Sequence, residues 1–290
     1  SMKNILVTGA NGLLGKSLVR RLVSAGKTVF GVSRPQNPIK IDGVQNVGID
    51  LSANWDPNLL PEKIDCLLHL AQSSKFRDFP ENALDVFNVN LNSTAQLLDY
   101  AKRAGAKQFI YASTGGVYEN RSNELSENAP LVSLGKLGHY LGSKASGEIL
   151  AHSYASEFQV VIIRPFFIYG PNQKRGMLIP RLFDCVSSGK PIQLQGDEGI
   201  RINPVHAEDA SCAVAEILEF EGNATFNVAG SQVLSIKQIC DEIGENLNKI
   251  PSYEYLPGDP TDLVADISAM RSSLHEPQKI FSESIQDIAP

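Results

Sequence analysis

The chain has 290 residues, 42% of them hydrophobic and 20% charged, with a formal net charge of -6. That acidic balance, with a pI near 5.4, supplies no field to neutralise phosphates and argues against a nucleic-acid partner. No apolar run approaches the roughly 20 residues needed to cross a bilayer, and Lys3 to Thr8 is too short for a secretory signal.

The predicted elements alternate between strand and helix. "NILVTG" (4–9) reads as a buried strand and "GLLGKSLVRRLVSAG" (12–26) as a helix with apolar residues at helical spacing. "KTVFGVS" (27–33) and "VQNVGIDLS" (44–52) are the next strands. "IDCLLHLA" (64–71) is a fourth, and its nearly continuous apolar run suits a parallel strand covered on both faces. "ENALDVFNVNLNSTAQLLDYAKRAG" (81–105) is one long helix ended by Gly105. "KQFIYAS" (107–113) and "FQVVIIR" (158–164) are strands on either side of a helix holding "HYLGSK" (139–144).

The pattern changes after Arg164. Proline and glycine become dense in "RPFFIYGPNQKRG" (164–176) and "SGKPIQLQGDEGIRINPVH" (188–206), and helices over 207–220 and 235–248 follow. The expected class is α/β: a doubly wound parallel Rossmann sheet with a smaller C-terminal α+β substrate lobe. Residues 2–165 are expected to form the sheet domain, with later segments returning to it. Residues 166–290 are mainly the substrate-binding lobe.

"TGANGLLG" (8–15) places Gly9, Gly12 and Gly15 between a strand and a helix. Such a turn lets backbone amides reach a pyrophosphate, helped by the positive end of the helix. The second strand would end in an acid if it read the hydroxyls of an NAD ribose. It ends instead in Ser33 and Arg34, and an arginine pairs with a 2′-phosphate, so the cofactor is NAD(P) with a lean towards NADP. Asp50, after the third strand, is placed to hydrogen-bond an adenine. The widely spaced cysteines (Cys66, Cys185, Cys212, Cys240) have no CxxC, as expected of a reducing cytoplasm, and no cluster has metal-ligand spacing.

In "HYLGSK", Tyr140 stands four residues before Lys144, one helical turn away on the same face. Alone this is either a solvated helix turn or an acid–base pair. The chain as a whole resembles the extended short-chain dehydrogenases/reductases that act mostly on nucleotide sugars. The resemblance is nearly full length. It runs through "TGANGLLG", "DLS" (50–52), "LLHLAQ" (67–72), "NVNLNST" (88–94), "YASTGGVYE" (111–119), "YLGSK" (140–144), "RPFFIYGPNQ" (164–173), "RINPVHAEDA" (201–210) and "FNVAG" (226–230).

The resemblance implies that Tyr140 is the acid/base, Lys144 its partner and Thr114 the hydroxyl that holds the substrate oxygen, with Ser113 beside it. Asn90 matches the asparagine of the neighbouring helix, and Ala71 and Gln72 would line the cofactor ribose. Further cofactor contacts are implied for Asn11, Leu13, Leu14, Leu51, Leu70 and Pro165. His139 and His206 are read as structural. Arg175 and Arg201 are the candidates for substrate phosphates, although Arg201 lies five residues before His206 where the family has four. Phe167 departs from the asparagine common at its position. A homodimer is implied through the helices at about 82–104 and 140–157.

A free tyrosine titrates near 10 and is a poor base at neutral pH. One positive charge about 4 Å away is worth roughly 4 kcal/mol at an effective dielectric near 20, enough to lower that pKa by about 3 before burial opposes it. Lys144 is expected to supply this charge.

Three reactions compete. A 4,6-dehydratase needs an acid–base pair after the catalytic threonine, where Gly115 and Gly116 stand, so dehydration is disfavoured. A 4-epimerase needs only a transient 4-ketone and room for the sugar to turn, which the small residues suit. An NADPH-dependent 4-keto-6-deoxysugar reductase would use the same triad. A non-catalytic dinucleotide-binding sensor or scaffold is the alternative of another class.

Overall fold

A computed structural model describes residues 1–119 and 123–290. Its centre is a parallel sheet of β1 (Asn4–Thr8), β2 (Thr28–Ser33), β3 (Val44–Gly48), β4 (Cys66–His69), β5 (Gln108–Ala112), β6 (Gln159–Pro165) and a late strand, Ala224–Val228. The strand order is β3-β2-β1-β4-β5-β6 followed by Ala224–Val228, so the chain reverses direction beside β1. Ligands of open α/β sheets sit at such a switch point, beyond the carboxyl ends of the strands.

The apolar runs that gave no period in the sequence divide cleanly in the sheet. Ile5, Val7, Leu68, Ile110, Val161 and Ile163 enter one core, with α1 (Leu13–Ser24) over them. Leu6, Leu67, Phe109, Val160 and Ile162 enter the other, under α3 (Ser93–Arg103). Both faces are covered, which is why neither could be polar.

The long helix expected over 81–105 is α2 (Ala83–Phe87), a π turn at Asn88–Asn92, and α3. It stops at Gly105, where φ is +75°. The π turn puts Asn90 in the interior, 1% exposed. Next in the chain come α4 (Gly138–His152), β7 (Ile168–Tyr169), α5 (Leu178–Ser188) and β8 (Ile192–Gln195). Then β9 (Arg201–Ile202), β10 (Val205–His206) and α6 (Ala207–Ile217) precede the late sheet strand, which is β11.

Ala210, Ala213, Val214 and Ile217 of α6 join the core beneath α1, so α6 and β11 return to the sheet. A separate cluster around Tyr169, Ile179, Phe183, Ile239 and Phe281 holds α5 against α7 (Ile236–Leu247). β8 pairs in parallel with Tyr253–Leu256. No helix among the described residues is long and apolar enough to cross a membrane.

Candidate active site

The glycine turn leaves β1 as expected. Gly9 has φ +65°, and a Cβ there would lie 2.8 Å from the Ala71 nitrogen, so the exit of β4 runs directly against it. Gly12 caps α1 without a side-chain bond, leaving the first-turn amides of Leu13 and Leu14 uncapped by it. A glycine cradle opening onto a helix N-terminus fits a pyrophosphate. Asn11 donates to the Asn37 carbonyl at 2.6 Å and steadies the loop after β2.

At the adenosine end the two expected residues separate. Ser33 is 8% exposed and its hydroxyl donates to Asn46 Oδ1 at 2.8 Å, so it braces β2 to β3 and does not face a ribose. Arg34 is exposed and donates to Ser74 Oγ at 3.1 Å. Asp50 accepts from the Ser52 amide and hydroxyl, which hold its carboxyl below the usual range, with the charges of Arg34 and Lys75 adding to the effect. Leu51 beside it is buried, while Leu70, Ala71 and Pro165 are partly exposed at the strand ends.

Tyr140 lies in the first turn of α4. Its hydroxyl donates to Gln72 Oε1 at 2.9 Å, and its ring meets Phe76 at 4.9 Å between centroids. Burial pushes its pKa up to about 12. Lys144 is 2% exposed and lies over the Tyr111 ring at 4.9 Å; burial pushes it down to about 8, against the pull of Glu148. The depression of Tyr140 expected from Lys144 is therefore not present. The ammonium is turned to Tyr111, and desolvation governs the phenol.

Thr114 ends the strand-to-loop passage after β5, and its Oγ1 accepts from the Gly116 amide at 3.1 Å. A Cβ on Gly116 would lie 2.9 Å from Leu141 Cδ2 and 3.5 Å from Thr114 Oγ1; one on Gly115 would lie 2.7 Å from the Phe166 ring. The glycine pair thus seats the loop against α4 and Phe166. Neither position carries the acid or base that a dehydratase needs.

Ser113 is 5% exposed and donates to Glu148 Oε2, so it belongs to the interior instead of the substrate wall. Glu148 pairs with Arg164 at 2.6 Å, and Arg164 also donates to the Tyr118 hydroxyl at 2.9 Å. Asn90 accepts from the Ser73 amide at 2.8 Å and donates to Ser143 Oγ at 3.1 Å, one turn from Tyr140.

The two arginines expected to bind phosphate are already paired. Arg175 forks onto Asp184 at 2.6 and 3.1 Å and also donates to the Ile288 carbonyl. Arg201 meets Asp262 through its amide at 2.9 Å and its guanidinium at 3.0 Å. Asp184 takes the Arg175 fork with both carboxylate oxygens, the geometry a phosphate would use, whereas the Arg201 guanidinium meets a single oxygen of Asp262. Phe167 has φ +50°, a conformation asparagine adopts more easily, and its ring packs against both the sheet core and the C-terminal cluster.

The histidines left aside are structural. His139 Nε2 donates to the Ala83 carbonyl at 2.8 Å and ties α4 to α2. His206 accepts from the Glu208 amide at 3.0 Å as the cap of α6, so its Nε2 carries the proton given to Asp287 at 2.8 Å. His69, Phe76, Glu148 and Arg164 escaped sequence reasoning. The one available signal was a histidine closing the otherwise apolar β4.

A glycine turn at the switch point of a parallel sheet, with the exit of β4 packed against it and bonded through Gln72 to Tyr140, defines a Rossmann-type protein. The profile of the NAD dependent epimerase/dehydratase family matches residues 5–229, and the chain belongs to that family. It is 27% identical over 300 residues to YtcB of Bacillus subtilis strain 168, described as an uncharacterized UDP-glucose epimerase, covering 93% of this chain and 92% of that one. It is 25% identical over 282 residues to the dTDP-4-dehydro-6-deoxy-D-allose reductase of Streptomyces bikiniensis, covering 89% and 85%. Among solved structures, UDP-glucuronic acid 4-epimerase from Bacillus cereus in complex with UDP-glucuronic acid and NAD superposes with a TM-score of 0.83 at 27% identity, covering 98% of this chain and 96% of that one.

Proposed function

We propose that the protein is an NAD(P)-dependent 4-epimerase of a nucleotide sugar, with UDP-sugars as the first class to test. The observation that carries this is the Tyr140 hydroxyl, bonded to Gln72 at the exit of β4 where that strand runs against the glycine turn, with glycines in place of an acid and a base at positions 115 and 116. The similarity to UDP-sugar epimerases supports it.

Gly9, Gly12, Leu13, Leu14 and Gly15 would hold the pyrophosphate, Ala71, Gln72, Asn90 and Lys144 would lie along the ribose, and Asp50 with Leu51 would frame the adenine. Residues 2–165 with α6 and β11 form the dinucleotide domain, and the remainder of 166–290 the substrate lobe. When bound, the nicotinamide supplies the acceptor and then the donor of the C4 hydride. Tyr140 takes the proton of the C4 hydroxyl and returns it to the ketone oxygen after the sugar has turned. With the dinucleotide bound, the positive charge of its oxidised ring would join that of Lys144 in favouring the phenolate, which Lys144 alone does not achieve. Thr114 Oγ1 hydrogen-bonds the same sugar oxygen and fixes its distance from Tyr140. Arg34 is the group able to meet a 2′-phosphate, which supports acceptance of NADP as well as NAD.

Turnover of UDP-glucose and UDP-glucuronate by the protein, and by Tyr140→Phe, tests the reading. The substitution is expected to lower the rate at least 100-fold, the scale of a lost general acid–base. Denaturing release of the bound dinucleotide separates the alternatives. Tightly held NAD supports the epimerase. An empty site that takes up and releases NADPH supports a 4-keto reductase, the reading the Streptomyces relative favours.

The exposed Leu84, Phe87, Leu134 and Ile149 lie on or beside α2 and α4. This apolar face fits a second copy of the chain packed helix against helix, as a cytoplasmic homodimer.

A further inference from the structure

A line of buried hydrogen bonds joins the glycine turn to the turn of α4 that carries Tyr140. The Ala71 amide donates to Thr8 Oγ1 at 3.2 Å, and Thr8 Oγ1 meets His69 Nδ1 at 2.6 Å. On the other side of the ring, His69 Nε2 meets Thr94 Oγ1 at 2.8 Å, and Thr94 donates to the Asn90 carbonyl at 2.7 Å. The Asn90 amide then donates to Ser143 Oγ at 3.1 Å, and Ser143 donates to the carbonyl of Tyr140 at 2.6 Å. Thr8, His69, Thr94 and Asn90 are each at most 1% exposed.

The direction of every bond in this line is fixed. A carbonyl only accepts, so the single hydroxyl proton of Thr94 is committed to Asn90. Thr94 must therefore accept from His69, which places the imidazole proton on Nε2. Nδ1 is then an acceptor and takes the proton of Thr8, whose lone pair accepts from Ala71. Only a neutral ring satisfies both threonines. Burial and the neighbouring charge of Lys144 keep it so, pushing the pKa down to about 3.

We propose that His69 is a positioning residue whose two nitrogens couple the dinucleotide turn, through Thr8 and Ala71, to the placement of Tyr140, through Thr94, Asn90 and Ser143. This rests on the reading of Tyr140 as the acid–base. The Thr8 arm holds the β4 exit against Gly9, where the backbones already meet with no room for a side chain. The Thr94 arm ends on Asn90, inside the π turn, whose side chain reaches α4. One ring thus sets two surfaces that must face each other across a cofactor.

The arms can be cut separately. Thr8→Val removes the first and Thr94→Val the second without changing side-chain shape. His69→Gln keeps a donor near Nε2 and loses the acceptor for Thr8; His69→Asn keeps an acceptor near Nδ1 and loses the donor to Thr94. Two readouts need no substrate: the Kd for NADH by fluorescence titration, and the phenol titration of Tyr140, taken as the difference from the matching Tyr140→Phe protein. Thr8→Val and His69→Gln are expected to raise the Kd at least tenfold with the Tyr140 titration unmoved. Thr94→Val and His69→Asn should bring the Tyr140 titration down towards its ordinary value with the Kd within threefold. The proposal is overturned if the two readouts move together in all four variants in step with lost thermal stability, or if neither moves. Wild-type turnover of UDP-sugars by Tyr140→Phe would instead overturn the catalytic reading and leave the coupling result standing.

Discussion

The Tyr140 hydroxyl donates its proton to Gln72 Oε1 at 2.9 Å, linking the first turn of α4 to the loop after β4. An acceptor facing the phenol stabilises its neutral form, and burial acts in the same direction. Gln72→Ala should lower the Tyr140 pKa by about 1, the worth of one neutral hydrogen bond. Titration at the phenolate band, against the double variant with Tyr140→Phe, measures it. An unchanged or higher pKa would show that Gln72 does not hold the phenol neutral.

Lys144 imposes a stability cost that depends on pH. Its folded pKa is near 8 against an ordinary 10.5. Below pH 8 the folded chain carries a buried charge at a cost of about 3 kcal/mol, from 1.36 kcal/mol per pKa unit. Between the two pKa values the unfolded chain binds a proton the folded chain lacks, so stability rises with pH. Lys144→Met should therefore be more stable than the parent at pH 7 by about 2–3 kcal/mol, and the gap should narrow between pH 8 and pH 10. Urea denaturation across that range decides, and a less stable Met variant at pH 7 contradicts the burial argument.

Arg164 and Glu148 form an ion pair of 2.6 Å with both side chains 7% exposed, and Ser113 adds a bond to the same carboxylate. Arg164→Met would strand a buried carboxylate and should cost about 3–5 kcal/mol. Removing Glu148 as well, by Glu148→Met, should recover most of that loss. A double-mutant cycle by denaturation reads the difference. Additive losses would mean the pair does not act as a unit.

The sequence made the strand–turn–helix at Thr8–Gly15 and the helix turn at Tyr140 legible because both are local patterns. Glycine conformation and a four-residue spacing do not depend on distant chain. The fates of Arg175 and Arg201 are set by partners elsewhere, Asp184 and Asp262. Asp262 is 61 positions from Arg201, and no spacing rule connects them. Ser33 likewise turns to Asn46 across a strand pair instead of to the cleft. "NVNLNST" gave no sign of the π turn that buries Asn90. Ser33 and Ser113 are turned inward by intramolecular partners, Asn46 and Glu148, which no local pattern announces.

The apolar face along α2 and α4 predicts the oligomeric state. Ile149 is 64% exposed and Leu134 84% exposed. Ile149→Glu places a charge that a helix-to-helix interface cannot desolvate. Light scattering at micromolar concentration should give a dimer for the parent and a monomer for the variant, with thermal stability near that of the parent. A monomeric parent contradicts the proposed interface.

The most direct test follows one hydrogen. UDP-glucose and UDP-glucuronate, each labelled with deuterium at C4, are incubated with the protein in ordinary water and without added reductant, and the products are read by NMR. The account predicts a C4 epimer that keeps its deuterium, because the label leaves C4 and returns to it within one site while Tyr140 handles the hydroxyl proton. An epimer whose C4 deuterium has been replaced by hydrogen would contradict it.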